Sequence, residues 1–170
     1  MPDKRTMVRM AEHAVSKDGA EVLVTLGLGS CIGCALIDSE AKVAGLAHIV
    51  LPESWAGSSA AAAAPPAKFA NTAVPHLVSE LVRLGARKNR LKAVLCGGAH
   101  MFSTTSSNGT GSPALEIGRR NNEETVKALK ASGIPIRASE VGGTKGRSVE
   151  VHVATGEVFV RTVGQTAIKL

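Results

Sequence analysis

Two short uncharged runs constrain this chain more than any other feature: residues 31–37, CIGCALI, and residues 43–51, VAGLAHIVL, with the polar residues DSEAK between them. Apolar runs of this length around a polar break are the pattern of two antiparallel strands joined by a tight connection. A turn centred near Ser39 and Glu40 places Cys31 opposite His48. Directly opposed residues on one face have Cβ atoms about 4.5–5.5 Å apart, a separation from which a thiol and an imidazole reach each other. A slip of one residue would send the two side chains to opposite faces, so this pairing stands or falls with the register.

A thiol beside an imidazole is a potential nucleophile. The reactive form is the thiolate, and a neighbouring imidazolium lowers a thiol pKa from about 8.5 into a range of about 3.5–7.5. Gly27 and Gly29, just before Cys31, let the backbone turn sharply and approach a ligand. The N–H groups of Gly29, Ser30 or Cys31 can then serve as an oxyanion hole. The same residues also fit a small buried hydrophobe and a hydrogen-bonded core histidine, and spacing alone does not choose between the two.

The rest of the chain reads as a set of short elements. Strands are predicted at 5–10 and 21–28, joined by the turn SKDG, then at 91–96, 134–141, 147–153 and 157–163. Val74, Leu77, Val78, Leu81 and Val82 recur at three- and four-residue spacings, predicting an amphipathic helix over 69–84. A second helix is predicted over 117–131, with Ile117, Val126 and Leu129 inward. Between the hairpin and the first helix, the Ala/Ser/Pro-rich stretch at 55–67 reads as a flexible loop within one domain spanning 1–170. Two helices among many turn-linked strands argue for an α+β fold rather than a doubly wound parallel sheet.

Composition removes several classes. The 170 residues are 44% hydrophobic but only 2% aromatic, with no Tyr, so the core is built of Val, Leu, Ile and Ala. Three cysteines do not make a disulfide framework, and the expected location is the cytoplasm. The longest uncharged apolar stretch, Val22 to Ile37, has 16 residues, short of the roughly 20 a membrane-spanning helix needs. Net charge is +6, but no long Lys/Arg run or aromatic platform concentrates it as nucleic-acid binding would require. A basic surface suits an acidic partner.

Two further constellations invite a metal or an anion. Cys31, Cys34, Cys96 and His100 formally offer a Cys₃His zinc set. Strand residues three apart point to opposite faces, so Cys31 and Cys34 should not converge, and neither a metal nor a cofactor is expected. The segment GGTKGR, residues 142–147, offers glycine amides with Lys145 and Arg147 as a possible substrate contact.

Beyond these single features, TLGLGSC, GLAHIVLP, AKFANTAVPHLVSEL, CGGAHMF, IGRRN, GIPI, VGGTKGRSV and TGEVFVR follow one another through residues 6 to 162. In that order they resemble the CheD family of chemoreceptor glutamine deamidases. The resemblance implies a layered fold of stacked, largely antiparallel (mixed) β-sheets with two main helices packed on one outer face, related to cysteine-dependent toxin deamidases such as cytotoxic necrotizing factor. It also implies a catalytic set of Cys31, His48 and Thr25, acting on glutamines of chemoreceptor cytoplasmic helices, with methylesterase activity as a side reaction. Two other functions follow from the same likeness: a regulatory binding partner of the CheC phosphatase, and a transglutaminase-like acyl transferase that resolves the thioester with an amine.

Overall fold

A computed structural model describes residues 4–54, 62–101 and 116–170. In chain order its strands are β1 (Lys4–Met7), β2 (His13–Ser16), β3 (Glu21–Leu28), β4 (Ile32–Asp38), β5 (Val43–Ile49), β6 (Lys92–Gly97), β7 (Ile136–Val141), β8 (Arg147–His152), β9 (Val158–Thr162) and β10 (Ile168–Lys169). Helix α1 is Ala70–Arg83 and α2 is Ile117–Ala131. The strands form two five-stranded sheets, ordered β1-β3-β8-β9-β10 and β2-β5-β4-β6-β7. Among the named strands only β1–β3 and β6–β7 pair in parallel, so both sheets are mixed and largely antiparallel.

The uncharged hairpin explains why there are three layers. Along β4, Ile32, Cys34 and Leu36 pack with the α1 residues Val74, Leu77 and Leu81 in one apolar cluster. The alternate residues Ala35 and Ile37 pack instead with Leu23, Val149, Val151 and Val160 of the first sheet. A strand covered on both faces has no position for a charge, which is why CIGCALI shows no polar alternation. The helices, the second sheet and the first sheet therefore stack in that order, as the expected layered α+β fold has them.

Some details differ from the sequence expectation. The chain does not pass from β1 to β3 through a simple turn, because β2 intervenes and pairs with β5 in the other sheet. β1 then lies parallel to β3. Four residues with only Ala14 and Val15 apolar, one toward each core, give too weak a pattern to mark β2 as a strand. Val82 of α1 is 45% exposed, and Ala70 and Ala73 take the inward positions instead. Residues 55–61 of the loop expected at 55–67 lie outside the described residues, while Pro66–Lys68 forms a short 3-10 turn. The Lys68 carbonyl accepts from Val50 and Leu51 N–H, at 3.1 and 2.9 Å, tying that turn to the end of β5.

At the other end of the hairpin, Asp38 is fully buried and accepts N–H bonds from Ala41 at 3.0 Å and Arg87 at 2.9 Å. The Arg90 guanidinium completes the site at 2.9–3.1 Å. Burial alone would raise this carboxyl, but the Arg90 hydrogen bond and the two backbone donors outweigh it and hold the pKa down to about 2. A folded-state pKa below the unfolded value contributes stability above roughly pH 4 that is lost as pH falls toward 2, here about 2 kcal/mol. Asp38→Asn should accordingly flatten the acid limb of a stability curve measured by denaturant unfolding, and an unchanged limb would remove Asp38 as its source.

Candidate active site

The hairpin turn centres one position later than expected, because Asp38 pairs with Val43 and Lys42 takes the left-handed φ of 55° that closes the turn. Gly33, rather than Cys31, consequently faces His48. The slip is two residues, an even number, so Cys31 stays on the same face as His48, one diagonal step away and just before β4 begins. Diagonal neighbours have Cα atoms about 7–8 Å apart, still within reach of side chains that lean toward each other. Gly33 is what makes room between them: a Cβ there would stand 2.9 Å from Leu28 Cδ1 and 3.6 Å from Thr25 Cγ2.

Thr25 comes from the opposing sheet. Its hydroxyl donates to the Val8 carbonyl at 2.7 Å and lies 2.8 Å from His48 Nδ1. A hydroxyl has one proton, so once that proton is given to Val8 the Thr25 oxygen can only accept from Nδ1–H. This arithmetic assigns the tautomer, leaving the lone pair on Nε2. That nitrogen is buried and has no hydrogen-bond partner among the described residues. An unprotonated, unpartnered imidazole nitrogen on the same face as a thiol has the chemistry to accept a proton from it.

The electrostatics reverse one expectation. Burial pushes the Cys31 thiol above its ordinary value. Burial also lowers His48, against smaller raising effects from the Val8 carbonyl and the Glu12 charge. Both shifts favour the uncharged forms, thiol and imidazole, over thiolate and imidazolium. Cys31 is only 8% exposed, and a low-dielectric setting disfavours a separated ion pair.

The backbone around Cys31 is gripped through its carbonyls. Ala99 N–H donates to Gly29 O at 2.8 Å, Gly98 N–H to Cys31 O at 2.9 Å, and Asn121 Nδ2 to Ser30 O at 2.9 Å. Gly97 must be glycine, since its φ is 101° and a Cβ would lie 2.2 Å from Cys31 O. The N–H groups of Gly29, Ser30 and Cys31 have no acceptor among the described residues. Just upstream, a one-residue bulge between Thr25 and Leu28, with Gly27 at φ 67°, turns Leu26 outward to 56% exposure. Bulges of this kind re-aim side chains beside active sites.

Asn121 was not legible as a site residue. Its Nδ2 also donates to Val50 O at 3.0 Å, so one amide ties the loop before Cys31 to the strand end after His48. The inward stripe of α2 is Gly118, Asn121, Thr125 and Leu129, with Ile117 and Val126 only half-buried. Polar residues at helical spacing in line with Leu129 were the signal, outweighed by the apolar residues beside them. Asn121→Leu would leave two part-buried carbonyls without their donor, at a cost of about 1–3 kcal/mol each where water does not take its place. Denaturant unfolding should show a loss of about 2–4 kcal/mol, and a change under 1 would mean that water replaces the amide.

The remaining candidates separate. Arg147 is buried and donates to Gly97 O and Gly142 O, and to Glu140, so it holds the glycine loops rather than facing a substrate. Lys145 is exposed on the adjoining turn. Cys34 points to the helix-side core, opposite to Cys31 and Cys96, so the Cys₃His set does not converge. A cavity of about 350 Å³, lined by Met7, Val8, Arg9, Met10, Leu26, Gly27 and His48, opens onto the imidazole. Cys31 does not line this cavity, and a larger groove of about 480 Å³ on the outer face of the first sheet shares only Leu26 with it and holds neither Cys31 nor His48.

Known proteins share much of this sequence. A family model described as CheD chemotactic sensory transduction matches residues 50–162, beginning just after His48. Relatives that extend over the dyad include a protein of Clostridium botulinum named probable chemoreceptor glutamine deamidase CheD, 42% identical over 96% of both chains. One of the same name from Desulfitobacterium hafniense is 47% identical over 92% of both. Among solved structures, a Neisseria meningitidis protein of the DUF152 family superimposes with a TM-score of 0.54 at 11% identity, covering 83% of this chain and 64% of that one. This last likeness concerns the fold alone.

Proposed function

This chain belongs to the CheD family, and on that premise we propose that it is a protein-glutamine deamidase converting glutamine side chains of chemoreceptors to glutamate. The observation that carries the reading is His48, whose Nδ1 is fixed by Thr25 while Nε2 is buried and without a partner among the described residues, on the face that holds Cys31.

In the proposed mechanism His48 Nε2 takes the Cys31 proton as the sulfur attacks the glutamine δ-carbon, so charge separates only when substrate is in place. The N–H groups of Gly29, Ser30 and Cys31 receive the oxyanion. His48 returns the proton to the departing nitrogen, ammonia leaves, and a γ-glutamyl thioester remains. A water then attacks the thioester, giving its proton to Nε2, and glutamate and the free thiol separate. Thr25 steadies the imidazolium through its link to the Val8 carbonyl, the part a carboxylate plays in other triads. A glutamate methyl ester fits the same sequence with methanol as the leaving group.

The cavity rim is the proposed substrate surface. Met7, Met10 and Leu26 are exposed apolar side chains around the opening, with Arg9 among them. Flexible methionines beside a cation suit an amphipathic helix carrying acidic residues, such as a receptor's cytoplasmic helix. No described helix is long and apolar enough to cross a membrane, and the proposed place of action is the cytoplasmic face of the receptors, by a single CheD-like domain. The decisive test is peptide mass spectrometry of a receptor fragment incubated with the protein. Exchange of an amide for an acid on a glutamine is expected, and a larger amine adduct would reassign the chain to acyl transfer.

A related prediction concerns the thiols. Because the free protein holds Cys31 protonated, iodoacetamide should label it only as pH rises beyond the ordinary thiol range, about 8.5. Cys34 and Cys96, pushed to about 12 by burial, should stay unlabelled while the chain is folded. Strong labelling of Cys31 at pH 6, the result a resting ion pair would give, would overturn the neutral pair.

A further inference from the structure

On the face of the second sheet that lies against the helices, three metal-ligating side chains come together away from Cys31 and His48. His13 is on β2, and its register partner on β5 is Ala47, which packs in the helix-side core. His76 and Glu80 are four residues apart on α1, one turn of helix, and so share a face. One ligand atom from each of the three lies within 4.8 Å of the others, and all three residues are half-buried. The two imidazole rings meet edge to face, with centroids 4.7 Å apart and planes at 84°.

We propose that His13, His76 and Glu80 form a zinc site, with solvent as the fourth ligand. Two imidazole nitrogens and a carboxylate oxygen are a donor set that Zn²⁺ accepts at about 2.0–2.2 Å. Ligand atoms around such a tetrahedral ion stand about 3.3 Å apart, so the three side chains would draw together on binding, with Glu80 leaving the ion pair it makes with Arg83 at 3.2 Å. A purely packing role would need only one of these imidazoles against the helix. The convergence of all three on one point, across two elements distant in sequence, is what distinguishes a site from a stacked pair.

Its position gives the ion a purpose. β2 is the edge strand of its sheet, and the residues just before it grip His48: Glu12 O accepts His48 N–H at 3.0 Å, and Ala11 N–H donates to His48 O at 3.0 Å. Zinc would clasp that edge strand to α1 and so secure the backbone that orients the imidazole. Ala47 and His48 are consecutive on β5, so their side chains take opposite faces and the ion never meets the reacting atoms.

The test uses the full chain, stripped with chelator, exposed to Zn²⁺ and then desalted, with zinc content and thermal unfolding as readouts. Wild type and Cys31→Ser should each retain one zinc per chain and unfold at higher temperature with it. His13→Gln, His76→Ala and Glu80→Gln should lose the retained zinc and the stabilisation. His76→Ala and Glu80→Gln alter partly exposed helix positions, and matching metal-free unfolding temperatures would show that they fold. Wild type retaining no zinc, the three variants retaining it, or its loss in Cys31→Ser would each overturn the site. Deamidation by the zinc-free protein is scored separately, so the metal site can fail without touching the proposed reaction.

Discussion

Replacing Cys31 with alanine should reduce glutamine deamidation to the uncatalysed level while leaving the fold in place. The thiol is the only group at the site that can form the thioester, and without it neither half of the double displacement has a route. The structural cost is small, since Cys31 lies just before β4 and the backbone bond from Gly98 N–H to its carbonyl does not involve the sulfur. Circular dichroism and unfolding should therefore match wild type as activity vanishes. Turnover near the wild-type rate would eliminate covalent catalysis at this residue, and the reading of the site would have to begin again from His48.

His48→Ala should lower turnover by about 10²–10⁴-fold, the usual contribution of a positioned acid–base group. The wild-type pH profile carries the sign of the shifts. The base must be unprotonated to act, and burial lowers His48, so activity should persist below its ordinary value of 6.5 and fall only as pH drops through the lowered pKa. On the alkaline side Cys31 stays protonated past the usual thiol range, which widens the plateau. His48→Ala should erase the acid limb along with most of the rate. An acid limb that survives the substitution would assign it to another group, Glu12 being the nearest carboxylate influence on this imidazole.

The layered α+β architecture was legible because hydrophobic period and length marked α1, α2 and most strands, and because eight motifs stood in family order. Cys31 and His48 were legible as a pair only because the register error was even; an odd slip would have put the right residues on the wrong faces. The turn was misplaced because its closing residue is Lys42 in a left-handed conformation, where sequence rules expect Gly or Asn. Thr25 could be named through the resemblance alone, since it reaches His48 from another sheet and no local pattern encodes a contact between layers. Asn121 and the role of Arg147 escaped for a related reason. Both are polar groups that satisfy backbone atoms of distant loops, and such partners appear only once the loops are in place.

The interleaving of the two sheets sets when the site can exist at all during synthesis. Cys31 and His48 leave the ribosome early and can pair within their own hairpin, a local and rapid event. Thr25 sits on β3, whose sheet is completed by β8, β9 and β10 from the last part of the chain. The Val8–Thr25–His48 relay is thus secured only after about 120 further residues, through contacts of high sequence separation that form slowly. Under the proposed mechanism, a nascent chain would carry its thiol and imidazole long before it carried the group that orients them, and so would remain inert toward glutamines until the first sheet closed.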